Sequence, residues 1–171
     1  MVALVNHISK NGGYYMKKNS YEIIADYFIG FANETGSLIT NLKLQKLVYY
    51  AQAWSLGLNN NELFSEEFEA WVHGPVLRDL YNKYRTNKWN PINKDVKLSE
   101  VKKQLNEDNL KLLQEVADTY FELDAYKLEK LTHNEEPWIE ARSNLAENEP
   151  CANKISNLTM RRYYHSIATA Q

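Results

Sequence analysis

Thr40-Asn41-Leu42-Lys43-Leu44-Gln45-Lys46-Leu47-Val48-Tyr49-Tyr50-Ala51-Gln52-Ala53-Trp54-Ser55-Leu56-Gly57-Leu58 is the stretch whose reading decides the fold. Leu44, Leu47, Val48, Ala51, Trp54 and Leu58 recur at the spacing of one face of an α-helix. Thr40 or Asn41 supplies the N-cap, and Gly57 stands near the C-terminal end. The first turn holds Lys43, then Lys46, and no acid, so these cations oppose the helix macrodipole. Such a breach of local rules reads either as solvated lysines or as part of a site.

The same period extends on both sides. Asn19-x-x-Glu22 resembles a capping box, and Ile24, Tyr27, Phe28 and Phe31 follow before Gly36 interrupts. Beyond the Asn59-Asn60-Asn61 turn, Phe68, Ala70 and Val72 alternate with Glu69, Trp71 and His73, which predicts a half-buried strand around 67–73. Gly74-Pro75 is expected to end that strand and open a helix with Leu77, Leu80, Tyr81 and Tyr84 on its apolar face. Residues 86–97 read as a loop or second weak strand. Further helices are expected through Leu110, Leu113, Val116, Ala117 and Tyr120, then from Asp124 through Leu131, from Pro137, and from about Leu158 to Ala168. The fold class is mainly α with a small β element (α+β): a single helical domain.

Composition bounds the function. The 171 residues carry 20 Lys+Arg against 22 Asp+Glu, a net charge of −2, and one cysteine. A generally basic nucleic-acid-binding chain is excluded, as are a disulfide framework and a thiolate metal cage. A reducing cytoplasm is the simplest home for a lone Cys151. No apolar run approaches the ~18–20 residues that span a bilayer. Twelve tyrosines point to a tyrosine-rich core rim. The small net charge hides segments of +3 (1–103), −8 (104–149) and +3 (150–171). Within the acidic segment Glu115, Asp118 and Glu122 form either a solvated face or a docking face for a basic partner. Residues 1–15 show no helical or strand period, and 1–18 read as an N-terminal extension, with 19–171 as the domain. Gly12-Gly13 must be encoded GGN-GGN, as in a ribosome-binding sequence, followed by a short spacer before Met16. Residues 1–15 are therefore either translated upstream DNA or a flexible arm.

A search for catalytic sets returns little. His7, His73, His133 and His165 are widely spaced, and His133 with Glu135 and Glu136 is expected to splay around Pro137, so no metal is assigned. No glycine-rich phosphate loop and no G-x-S-x-G occurs, and Cys151 reads as inert. No catalytic residue and no cofactor are assigned; the expectation is a protein that is not an enzyme. Residues 78–103 hold eight basic side chains against three acids, with Tyr81, Tyr84 and Trp89 interleaved, as a nucleic-acid stacking platform would. The slightly acidic whole chain and the lack of a clear helix-turn-helix signature argue against that partner.

Three phrases combine in order: Leu38 to Gln52 (LITNLKLQKLVYYAQ), Phe68 to Val76 (FEAWVHGPV) and Leu131 to Trp138 (LTHNEEPW). Together they resemble the Panacea, or SocA-like antitoxin, domain family, which includes phage-associated GepA-type proteins. The resemblance runs from about Tyr21 to the C-terminus. It implies a prophage-type antitoxin of a two-gene module, without enzymatic activity, that binds and neutralises a protein toxin encoded by an adjacent gene. Trp71, His73 and Trp138, with Lys46, Tyr49, Tyr50 and His133, are then either a structural cluster or part of the partner surface. Two alternatives stand beside it: an adaptor delivering a bound protein to a cytoplasmic protease, and a nucleic-acid-binding regulator using residues 78–103.

Overall fold

The computed structural model describes residues 19–170. The expectations for residues 1–18 lie outside them. Helix α1 (Tyr21–Thr35) starts at Ser20, whose hydroxyl accepts from the Glu22 amide at 3.0 Å. Ser20, and not Asn19, is therefore the cap. The helix stops at Gly36, which adopts φ +66° so that its N–H can satisfy the last carbonyls. Helix α2 (Asn41–Asn59) is capped by Thr40, whose hydroxyl accepts from the Lys43 amide.

Helix α2 is the axis of the molecule. Every residue from Leu44 to Gly57 is buried, so the helix has no solvent face over that span. Its polar side chains belong to the interior, where each must find a partner. Gln45 accepts from the Leu77 amide (2.8 Å) and donates to Asn41. Gln52 accepts from the Leu63 amide and donates to the Phe64 carbonyl. Lys46 donates to the Pro75 carbonyl. These groups tie α2 to the chain that wraps it. Gly57 stands near the C-terminal end as expected, and the helix runs two residues past it to Asn59 before Asn60 caps it in the left-handed region. A Cβ at Gly57 would stand 2.5 Å from Tyr164 Cβ, so this glycine lets a later helix cross closely.

Strands β1 (Glu69–Trp71) and β2 (Gly74–Val76) form an antiparallel hairpin with Ala70 opposite Pro75. The expectation that Gly74-Pro75 ends the strand and opens a helix is corrected here. Gly74, at φ +91°, returns the chain as a second strand, and helix α3 (Arg78–Tyr84) begins only after it. The other edge of β1 is covered by the segment before the last helix, through Ala70 N–H to Asn153 O and Ile155 N–H to Phe68 O.

The loop after α3 touches Ile39 through the Ile92 amide (2.8 Å). It leads to a short α4 (Leu98–Lys102), which the sequence reading missed and which packs against Gly30 of α1. Helix α5 (Glu107–Tyr120), capped by Asn106, and α6 (Ala125–His133), capped by Asp124, follow the expected pattern. So do α7 (Glu136–Arg142), with Pro137 in its first turn, and α8 (Asn157–Thr169), capped by Ser156. Among the described residues this makes an α-rich fold with one small two-stranded sheet. No helix in it is long and apolar enough to cross a membrane. Tyrosines reach the centre of the core as well as its rim: Tyr49 and Tyr50 have no exposed surface.

Candidate functional site

Two neighbouring arrangements are built on α2. The first is a buried lysine. Lys46 has no accessible surface and rests under the β1–β2 turn, its ammonium 3.0 Å from the Pro75 carbonyl. The space exists because residue 74 is glycine: a Cβ there would meet Thr132 Oγ1 at 2.7 Å and Lys46 Cε at 2.8 Å. Burial pulls the Lys46 amine down to about 7, partly opposed by the charge of Glu129. Glu129 itself pairs with His73 at 3.1 Å.

The second arrangement is a cluster of tyrosines around one carboxyl. Tyr50 and Tyr120 stack at 3.9 Å between ring centres, and the Trp54 indole donates to the Tyr120 hydroxyl at 3.0 Å. Tyr50 donates to one oxygen of Glu135 (3.1 Å) and Tyr164 to the other (2.7 Å). Glu135 is the residue preceding α7, yet its side chain does not cap that helix; it turns inward to the hydroxyls. Burial lifts its carboxyl to about 7 against the pull of the two tyrosine hydrogen bonds. The cluster opens on a cavity of about 640 Å³ between the end of α5, α6 and α8, with Tyr163, Leu123, Leu131 and Ile167 among its walls. That size and a mostly apolar wall with few polar groups are the usual attributes of a binding cavity.

The residues expected from sequence are distributed unevenly. Lys46, Tyr49 and Tyr50 are fully buried, so they offer a partner no surface in this conformation. Close packing of α2 on all sides is the reason. Trp71 is half-buried; with His73, Arg78 and Cys151 it lines a second cavity of about 370 Å³. The cluster expected around Trp71, His73 and Trp138 is also rearranged. Trp138 meets residue 71 through the main chain, its indole donating to the Trp71 carbonyl at 3.0 Å, while its ring stacks on His133 at 4.1 Å. Trp71 packs instead on Tyr81 and Arg78. His133 and Glu135 separate, one to Trp138 and the other to the tyrosines, while Glu136 pairs with Arg162. On α5 Glu115 is half-buried and Asp118 exposed, and Glu122 lies exposed just past the helix end. Among the described residues none of the three forms an ion pair.

Several cations of the basic stretch are already engaged. Arg78 pairs with Glu69, Lys83 with Glu22, Lys94 with Asp26 and Lys103 with Glu100. Glu69 shows the strength of one such contact. Burial alone would raise its carboxyl, but hydrogen bonds from Arg78, Trp71 and Lys154 outweigh it and hold the group at about 2. Trp89 remains 85% exposed.

Glu135, Tyr120 and Tyr164 were not chosen as site residues from sequence. The one available signal was an acid immediately before a Glu-Pro helix start, which reads as surface until the tertiary fold places tyrosines over it. Arg142 was missed as well. Its buried guanidinium donates to the Ala70 carbonyl and to those of Ala146, Glu147 and Glu149, which anchors the loop after α7 to the hairpin.

No curated protein and no solved structure matches this chain. Residues 44–139, from the middle of the first α2 turns to α7, match the family described as antitoxin SocA-like, Panacea domain. This span holds the lysine site, the hairpin and Glu135, and covers more than half of the sequence: the chain belongs to the SocA-like antitoxin, Panacea domain family.

Proposed function

We propose that this protein is the antitoxin of a two-gene toxin–antitoxin module, of the kind found in prophages, acting in the bacterial cytoplasm. It holds a cognate protein toxin inactive by direct contact and catalyses no reaction. The observation that carries this reading is membership of the antitoxin-like family across the central helices. Exposed apolar side chains fit a contact role: Tyr126 is 63% and Leu131 41% exposed on α6. An inhibitory interface of ordinary size covers roughly 1,600 Å² in total, enough to include α6 and the acidic residues Glu115, Asp118 and Glu122. Those unpaired carboxylates would speed association with a basic toxin.

The test is co-expression with the product of the neighbouring gene. The toxin alone should arrest growth; with this chain, growth returns and the two proteins co-purify. Arrest that persists while both proteins are soluble and present overturns the reading. Reversing Glu115, Asp118 and Glu122 to lysine should slow association and weaken its salt dependence. Unchanged rates would remove that face from the interface. Occlusion leaves the toxin stable; protease-dependent loss of the toxin would point to delivery by an adaptor instead.

A further inference from the structure

Glu135 differs from its acidic neighbours in what holds it. Glu136 and Glu140 both reach Arg162, Glu129 reaches His73, and Asp124 reaches Lys127. Glu135, half-buried on the cavity wall, is met only by the neutral hydroxyls of Tyr50 and Tyr164, one per oxygen. Each carboxylate oxygen has a second lone pair, so the group can accept two more donors. A buried carboxyl with no cation is costly unless a cation arrives.

The cavity beside it is built to admit one. Its walls include the aromatic rings of Tyr120, Tyr163 and Trp54, which attract a cation to their faces. Lys127 and Lys130 also line it but are engaged elsewhere, Lys127 with Asp124 at 3.5 Å and Lys130 over the Tyr126 ring at 4.9 Å. Neither forms an ion pair with Glu135. Among biological cations a guanidinium fits best: it is planar, weakly hydrated, stacks on aromatic rings and gives a carboxylate two parallel N–H groups.

We propose that the cavity between α5, α6 and α8 receives an arginine side chain of the protein partner, whose guanidinium pairs with the Glu135 carboxylate between the tyrosine rings. The inference rests on the binding role proposed above, and it makes this cavity the anchor of the interface. The high proton affinity of Glu135 adds to it, because a bound guanidinium supplies the charge that ionises the carboxyl.

The experiment has two arms. In the first, the full chain is titrated with N-acetyl-arginine methylamide and, as an uncharged isostere, N-acetyl-citrulline methylamide, followed by backbone amide NMR. The arginine probe should shift amides of residues 119–135 and 163–167 saturably, with the citrulline probe about tenfold weaker or more. Glu135→Gln should reduce the arginine probe to the citrulline level. Leu131→Trp, at an exposed rim position, should block both probes while leaving the carboxyl in place. Equal affinity for the two probes, or unchanged binding in either variant, overturns the cation site. In the second arm Glu135→Gln is tested against the neighbouring gene's product. A loss of affinity of about tenfold or more is expected, as for other desolvated charge pairs. Full toxin affinity in Glu135→Gln assigns the cavity to a free small-molecule cation and overturns the partner assignment. Failure of the wild-type chain to bind that product defeats the antitoxin reading alone, since the first arm does not use it.

Discussion

Lys46→Met replaces a buried ammonium with a side chain of similar length and no charge. The wild-type amine falls from 10.5 to about 7 on folding because burial strips its water. A lysine whose folded pKa is depressed binds fewer protons in the native state than in the unfolded chain between those two values. Stability therefore rises with pH across that range. At ~1.36 kcal/mol per unit, the full gap corresponds to roughly 5 kcal/mol, and the interval from pH 7 to 9.5 to about 3 kcal/mol. The methionine variant also gives up the hydrogen bond to Pro75, about 1 kcal/mol. Lys46→Met should thus be more stable than wild type by about 3 kcal/mol at pH 7, with the difference near zero by pH 9.5. Other groups near this lysine do not mimic the effect. His133, lowered by burial, titrates below this window, Glu135 is common to both proteins, and the buried tyrosines matter only above pH 10, where unfolded tyrosines ionise. Urea unfolding at half-unit pH steps measures the difference directly. A wild-type-minus-variant difference that does not change with pH would refute the claim that Lys46 is buried as a strained cation.

Glu135→Gln should show the opposite slope. The wild-type carboxyl is raised from 4.5 to about 7, so the wild-type-minus-variant stability should fall by about 3 kcal/mol as pH rises from 4.5 to 7 by the same urea method, the titration of His133 being common to both proteins. Gly57→Ala places a methyl 2.5 Å from Tyr164 Cβ and 2.8 Å from its carbonyl carbon; prying α8 from α2 should cost about 3 kcal/mol in thermal unfolding, and a variant within 0.5 kcal/mol of wild type would contradict the crossing. Arg142→Met leaves four carbonyls without their donor, so it should lose about 3 kcal/mol or more and be cleaved faster in the 143–153 segment under limited proteolysis.

Most of the helices were legible because their signals are local. Thr40 and Asp124, expected as caps, each accept from an amide three residues on, and that chemistry depends on no distant contact. The error at Gly74-Pro75 has an equally physical origin: Pro after Gly suits a helix start or an edge strand, and only pairing with Glu69–Trp71 decides between them. Helix α4 was missed because five residues carry too little period to read. The site was less legible than the fold. Lys46 was singled out for opposing the helix dipole, but its burial depends on Gly74 and Thr132, 28 and 86 positions away.

The sequence by itself determined the helical periods, the caps at Thr40 and Asp124, the lone cysteine, the uneven charge and the three phrases that place the chain in its family. Tertiary structure alone decided which polar groups lose their water. Gln45, Gln52 and Lys46 look like the solvent face of an amphipathic helix until α1, α5, α6, α8 and the hairpin close around α2. Glu135 looks like a surface acid until Tyr50 and Tyr164, 85 residues before it and 29 after it, converge on its two oxygens. Burial is a property of what surrounds a residue, and those surroundings are assembled from segments that no local reading connects.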